Sequence, residues 1–520
     1  MEKISPVELE IFKNRFSSVA EEMGAVLQNS SYSPNIKERR DFSCAIFDKD
    51  GELVVQALHI PVHLGSMAVS VKEAIKEIKI SEGDMVILND PFQGGTHLPD
   101  ITIIAPVFFR KSLCFFVANR AHHSDIGGIS PGSMPVSRSI FQEGLIIPPV
   151  KIVKRGRIDR EIMKLILSNV RTPEERKGDI EAQIMANKIG IKRIKELMKE
   201  DPDKVIRYSD ALMDYAEAVM RDTIRRIPDG EYSFEDFMDD DGAGNEMIKI
   251  SCKLKIEGEE AYVDFSESDP QTEGSINSVY GIVLSAVLYV FRSIAEEEIP
   301  ANSGCLRPIK VITKKGTVVD AFPPAAVAGG NVETAQRIVD VILGALSKAI
   351  PEKIPAASQG TMNNLTIGGI DPRKGKPFAY YETIGGGMGA SAKQDGESAI
   401  HCHMTNTMNT PIEALEYSYP LLVRQYSIRR GSGGDGKHKG GDGIIREIMV
   451  LSDCEVTVIS ERRKTRPYGL YGGSPGASGK NVIIKDGKRI ECGGKFSAFL
   501  KKGDSIRIET PGGGGWGFVF

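Results

Sequence analysis

The sequence predicts a mixed α/β fold of the α+β kind, built in several layers, with a central helical arm or layer and a small β-rich domain at the C-terminus. Three observations predict it. Apolar residues recur at helical spacing over 5–30 and, amid dense charge, over 158–227. Short runs such as "DITIIAPVFF" and "LCFFVANRAHH" have the length and residue types of strands. From about 425 onward the chain is short strands broken by glycine turns, the pattern of a small β domain.

The elements follow in order. Val7, Ile11, Phe12, Phe16, Val19, Met23, Val26 and Leu27 form an apolar helical stripe, and Pro6 sits early, where a helix tolerates it. "DFSCAIFDKDGELVVQ" reads as a hairpin turning at Asp50–Gly51. A short helix is expected over 67–78 and a strand at "DMVILND". Helices fill the charged stretch until "PDG" (228–230) ends it. Strands resume at 231–266, and the continuous apolarity of "SVYGIVLSAVLYVFRSI" predicts a buried helix, with another at 334–350. These readings divide the chain into an N-terminal α/β part (1–157), a helical part (158–230), a central α/β part with a glycine-rich loop (231–424) and a C-terminal β-rich domain (425–520).

Composition narrows the partners. The chain has 520 residues, 41% hydrophobic and 26% charged, which is ordinary for a soluble globular protein. A net charge of −4 gives no reason to expect nucleic acid or an anionic membrane. No apolar run reaches the roughly 18 residues of a membrane span. The charged opening "MEKISPVELEIFKNRF" lacks the apolar core of a signal peptide, so a cytoplasmic location is expected. The seven cysteines form no C-x-x-C pair, which argues against a zinc ribbon or a disulfide framework.

Two polar, glycine-rich stretches hold three of the eight histidines: "GGTHLPD" (94–100) and "ANRAHHSDIGG" (118–128). They flank the two strands at 100–109 and 113–123. If these form a hairpin with a three-residue turn centred on Lys111, Asp100 faces His122. If the turn is Lys111–Ser112, Asp100 faces His123. Either register sets a carboxylate and an imidazole at the mouth of one hairpin, near enough to share an ion. His97, in the loop before the first strand, can fold over the same point. Two imidazoles and a carboxylate suit Zn, Mn or Fe(II) with positions left open. Because side chains alternate, His122 and His123 cannot both face the ion on a regular strand. Asp125 is expected to bond backbone amides in its "DIGG" turn.

The second dense polar stretch is 380–416. There Gly385, Gly386 and Gly387 could present N–H groups to an anion, and His401 and His403 alternate so as to share a face. Glu382, His401 and His403 are the acid–base candidates, and Asn409 joins the glycines as a binding candidate; together they are expected to line a cavity reached from the metal. His59 and His63 stand four apart, but the intervening proline argues against a helical metal pair. Arg39, Arg40 and Asp41 read, on chemistry alone, as a surface ion pair. No P-loop, G-x-G-x-x-G, G-x-S-x-G or H-E-x-x-H is present.

Longer phrases go further. "RRDFSCAIFDKDGELVVQALHIPVHLGSM", "GDMVILNDPFQGGTHLPDITIIAPVF", "RAHHSDIGGISPGSMP", "NVRTPEERKGDIEAQIMAN", "GGGMGASAKQDG", "HMTNTMNTPIEALE" and "TPGGGGWG" resemble the hydantoinase B family, from about residue 5 to the end. That family includes the B component of N-methylhydantoinase, the C-terminal half of 5-oxoprolinases and the large subunits of acetone and acetophenone carboxylases. The resemblance makes Arg39 and Asp41 candidates for substrate or cofactor binding. It implies a metal held by His97, Asp100 and His122, with His123 the second choice for the third ligand, and so favours the three-residue turn. It also implies a hetero-oligomer with a hydantoinase A-type subunit that uses the ATP. The implied activity is hydrolysis of a cyclic amide or imide phosphorylated by that partner, with water activated at the metal. The alternative is the large subunit of an ATP-dependent ketone carboxylase.

Overall fold

The computed structural model describes residues 4–57 and 60–519. The first part is built on one sheet. Helices α1 (Pro6–Ser30) and α2 (Pro34–Lys37) lead into β1 (Phe42–Asp48) and β2 (Leu53–Gln56), followed by α3 (Ser66–Glu77), β3 (Met85–Leu88), β4 (Asp100–Phe109), β5 (Ser112–His122), β6 (Val150–Lys154) and β7 (Arg157–Ile158). The order is β2-β1-β5-β4-β3-β6-β7, antiparallel throughout. Ser5 caps α1 by accepting the Glu8 N–H, and Pro6 costs nothing in the first turn, where no helical acceptor exists.

Alternation along the strands gives this sheet two apolar faces. Ala45, Phe47, Ile104, Phe116 and Ala118 pack with Met67 and Val71 of α3. Cys44, Ile46, Ile101, Ile103, Phe115, Val117 and Ala121 face the other way, toward α1 and the central helices. Those helices are α4 (Arg160–Leu167), α5 (Pro173–Leu197) and α6 (Pro202–Arg225). They take the form of a layer. α5 lies on β4, β5 and α1, and a polar stripe at helical spacing enters the interface. Gln183 donates to the Ile101 carbonyl, and Asn187 to that of Ile103.

The remainder carries three more sheets. β8 (Gly230–Asp240), β9 (Glu246–Glu257), β10 (Glu260–Asp264) and β11 (Ile309–Ile312) form one, in the order β11-β10-β9-β8. The buried helix α7 (Tyr280–Ser293) crosses between β10 and β11, which are parallel. Helix α8 (Ala335–Ala349), preceded by a π-helical turn at Gly330–Thr334, lies against β8 and β9. After it come β12 (Asn364–Asp371), β13 (Lys376–Glu382), α9 (Ile412–Ser418), β14 (Leu421–Arg429), β15 (Gly443–Val450), β16 (Cys454–Ile459), β17 (Lys480–Lys485), β18 (Lys488–Cys492), β19 (Lys495–Leu500) and β20 (Ser505–Glu509). They make two sheets, β13-β12-β16-β19 and β14-β15-β20-β17-β18. β16 and β19 thus join β12 across position 424. All seven cysteines are free. Among the described residues no helix is long and apolar enough to cross a membrane.

Candidate metal centre

The β4–β5 hairpin sets the register of the site. Asp100 pairs with His122, as the first of the two readings expects, but the turn differs from both. Phe109 pairs with Ser112, leaving a two-residue turn at Arg110–Lys111 with φ of 48° and 70°. Positive φ at both positions follows the right-handed twist of the strands. A bulge at Cys114 then adds one residue to β5, between the Val107–Phe115 and Phe108–Leu113 pairs, and this shifts the register to Asp100–His122.

His97, Asp100 and His122 converge at the hairpin mouth, all buried. His97 Nε2 and His122 Nδ1 each lie 3.3 Å from Asp100 Oδ1 and 3.3 Å from each other. Tetrahedral donors at bond lengths of about 2.0–2.1 Å stand about 3.3 Å apart, so this triangle has the dimensions of one face of a metal coordination shell. Asp100 Oδ1 is buried and makes no hydrogen bond, an unmet acceptor that a cation would satisfy. The three donors therefore fit a divalent ion. Burial opposes ionisation of Asp100, but the facing His97, His63 and His122 outweigh it and hold the carboxyl well below its usual range. Burial lowers the His122 imidazole pKa, which favours the neutral, ligating form.

Neighbours fix these side chains. Asp100 Oδ2 accepts Thr96 Oγ1 at 2.8 Å and Asn331 Nδ2 at 3.3 Å, and His63 Nε2 lies 3.4 Å away. His63 is turned by Ser43, whose Oγ is 2.9 Å from Nδ1. His97 Nδ1 lies 3.4 Å from the Ala328 carbonyl. Glu143 holds that loop by accepting the Val327 and Ala328 N–H groups at 2.9 and 3.0 Å. His122 stacks on Tyr381, with centroids 4.3 Å apart and planes 11° from parallel.

The other predicted residues fall in three places. His123 points away from the trio, as alternation requires, and its Nε2 meets Gln183 Oε1 at 2.9 Å. Asp125 accepts N–H groups from Gly127, Gly132 and Arg171, and pairs with the Arg171 guanidinium. Arg39 and Asp41 form no surface ion pair, because both are buried. Arg39 is enclosed by Asn35, the Tyr381 and Met408 carbonyls, Thr383 and Thr407. The Asp41 carbonyl accepts the His122 N–H.

In the 382–409 stretch, alternation along β13 turns Glu382 to the face opposite Tyr381. There it pairs with Arg446 at 3.2 Å and accepts from the Tyr380 hydroxyl at 2.8 Å. The N–H groups of Gly386 and Gly387 are taken by the Ile400 and Pro511 carbonyls. A Cβ at Gly387 would stand 1.9 Å from the Gly441 carbonyl oxygen, so backbone packing accounts for that glycine. Asn409 donates to the Thr383 carbonyl and toward Glu382. His403 Nδ1 meets the Tyr289 hydroxyl at 3.2 Å, while its Nε2 and both nitrogens of His401 make no hydrogen bond of good geometry. Burial, then the Arg39 charge, push His401 down to about 4; burial also lowers His403.

A family model described as hydantoinase B/oxoprolinase matches residues 5–519. The chain belongs to that family. It is 43% identical to a protein of Methanocaldococcus jannaschii, over 99% of this chain and 91% of the other. It is 42% identical to 5-oxoprolinase of Dictyostelium discoideum, over 99% of this chain but 40% of that enzyme, so it spans about two fifths of that relative's length. It is 32% identical to a protein of Pseudomonas sp. named as the B component of a D-/L-hydantoinase, over 99% and 90%. Among solved structures, ATP-dependent caprolactamase from Pseudomonas jessenii matches with a TM-score of 0.91 and 30% identity, over 99% of this chain and 92% of that one. Acetone carboxylase in its nucleotide-free form matches with a TM-score of 0.92 at 19% identity, over 99% and 76%, which shows a shared fold. Membership of the hydantoinase B/oxoprolinase family places the chain among enzymes.

For this family member, sequence reasoning missed four contributors to the site. His63 has a visible signal, but its spacing in the sequence points to His59, which lies outside the described residues. Tyr381 sits one residue before a chosen candidate, yet its stack on His122 is a tertiary contact. Asn331 and Glu143 carry no local pattern at all, since each acts on the site from a segment distant in sequence.

Proposed function

We propose that this chain is the B-type component of a cytoplasmic, ATP-dependent cyclic amide or imide hydrolase. It would work with an A-type ATPase partner and hold a divalent Zn, Mn or Fe(II) ion on His97, Asp100 and His122. The observation that carries the metal reading is Asp100 Oδ1, buried, without a hydrogen bond and 3.3 Å from two imidazole nitrogens. Relatives at 30% identity or more that are named as hydrolases of this kind support the reaction class, whereas the acetone carboxylase likeness, at 19%, concerns the fold.

The chemistry explains the division of labour. Resonance protects a ring amide from water. Phosphorylating its oxygen on the partner, at the expense of ATP, makes the ring carbon electrophilic. Water adds there, the C–N bond breaks as nitrogen takes a proton, and a second water hydrolyses the resulting acyl phosphate. A divalent ion at the trio would supply Lewis acidity and a lowered water pKa. The ionised Asp100 and neutral His122 keep the donors in ligating form. His401 and His403 are the acid–base groups of this reading, because both are half-buried and have shielded ring nitrogens that a bound ligand would satisfy. Arg39, Asp41, Asn409 and the glycine loop position that wall, and Glu382 braces it through Arg446.

The test is reconstitution with an A-type partner, measuring ATP turnover with 5-oxoproline, hydantoins and lactams, and with acetone plus bicarbonate. Amide-dependent turnover is expected, with none from this chain alone. His122→Ala should lose both metal and turnover, and His123→Ala should keep its metal. ATP-dependent fixation of bicarbonate into the ketone, with no amide opened, would replace the hydrolase reading by the carboxylase one.

A further inference from the structure

Asn331 stands at the trio in a pose that competes with a metal. Its side chain is buried, and Nδ2 lies 3.0 Å from His97 Nε2 and 3.3 Å from Asp100 Oδ2. His97 Nε2 is the same lone pair that a cation would need. Meanwhile Asn331 Oδ1 is buried with no hydrogen-bond partner. The amide thus spends its donor on a ligand nitrogen and leaves its acceptor unused.

The backbone holds this side chain in place. Asn331 is the second residue of the π-helical turn Gly330–Thr334, a geometry that recurs at functional sites. The turn sits so close to its neighbour that a Cβ at Gly330 would stand 1.8 Å from the Asn277 carbonyl oxygen. Asn277 in turn donates to the Thr272, Gly274 and Ala326 carbonyls, fixing the loop on which the turn rests.

We infer that Asn331 is a fourth protein donor of the metal centre, its side-chain oxygen taking the place beside His97 Nε2 that its nitrogen now occupies. This rests on the metal-holding reading above. A half-turn of the amide exchanges a donor that repels a cation for a carbonyl oxygen that binds one. The 3.0 Å to His97 Nε2 then becomes one more edge of a coordination shell whose other edges are 3.3 Å. A carbonyl oxygen also suits the hard or borderline ions that the trio selects. It leaves room for fewer open positions than the trio alone.

The experiment is titration of the metal-free full chain with Co(II), read by visible absorption and by affinity, in wild type, Asn331→Ala and Asn331→Asp. Asn331→Ala should bind about tenfold more weakly or worse, and its saturated spectrum should change in band position or intensity because a ligand is lost. Asn331→Asp, which retains an oxygen at that place, should bind within a few-fold of wild type or tighter. A crystal structure of the metal-loaded wild type should show Asn331 Oδ1 on the ion. An unchanged saturated spectrum in Asn331→Ala, or a loaded structure with Nδ2 still on Asp100, would make Asn331 a hydrogen-bonding neighbour only. Failure of wild type to bind Co(II) would instead overturn the metal reading itself.

Discussion

Asp100 divides its two oxygens between two tasks. Thr96, His63 and Asn331 gather on Oδ2, and Oδ1 is left facing His97 and His122. Another buried carboxyl, Glu333, shares the π-helical turn with Asn331. It accepts from the Met362 N–H and from Asn364, whose own oxygen takes the Tyr381 hydroxyl. Burial pushes Glu333 up to about 7, despite these bonds. The folded state then keeps a proton that the unfolded chain releases near 4.5, so this contribution is present at low pH and is lost as pH rises toward 7. Glu333→Gln lacks that loss. Its stability relative to wild type should rise between pH 5 and pH 7 by up to roughly 3 kcal/mol and stay level above. Thermal melts across pH 5–8 check this, and a difference that does not vary with pH would show that Glu333 is not protonated in the fold.

At the scale of elements, the hairpin joins two features that sequence reasoning treated separately. The Arg110–Lys111 turn has positive φ at two residues with side chains, which costs energy that asparagine and glycine avoid. Arg110→Asn with Lys111→Gly should stabilise the protein by about 1 kcal/mol, seen as a higher Tm with unchanged metal content. A lower Tm would mean that these side chains hold the turn by contacts of their own. That Asp100 meets a histidine of the next strand was legible because two strands this close in sequence must pair near their middle; this left His122 and His123 open, and the family resemblance favoured His122. The turn was not, because the Cys114 bulge offsets the shorter turn, and the two departures cancel at the hairpin mouth. The long helices and the hairpin at 42–56 were readable from periodicity and from Asp50–Gly51. Arg39 reads as a surface residue by its local chemistry, since nothing local shows that Thr383, Thr407 and the Tyr381 carbonyl close over it. Glycines 386 and 387 look like an anion cradle for the same reason: the carbonyls that take their N–H groups come from over a hundred residues away or from a bridge that the loop makes with itself.

Across the whole molecule, the candidate metal centre is a meeting point of distant segments. His63 precedes α3, His97 precedes β4, Asp100 opens β4, His122 ends β5, Asn331 precedes α8 and Tyr381 lies in β13. One apolar cluster runs from Phe12 to Ile459 beneath them. Arg39 binds the segment after α2 to residues 381–408 on the other side of the site. An ion held by His97, Asp100 and His122 would be bound by a surface that exists only when these segments are assembled, and its binding energy would add to folding stability. At free metal a hundredfold above Kd that addition is about 2.7 kcal/mol. Chelation should lower the Tm of the full chain by a few degrees, and restoring the metal should reverse it. His122→Ala should melt at a temperature that chelator does not change, because the ion has no complete site to leave. Equal chelator sensitivity in wild type and His122→Ala would place the stabilising ion elsewhere on the protein.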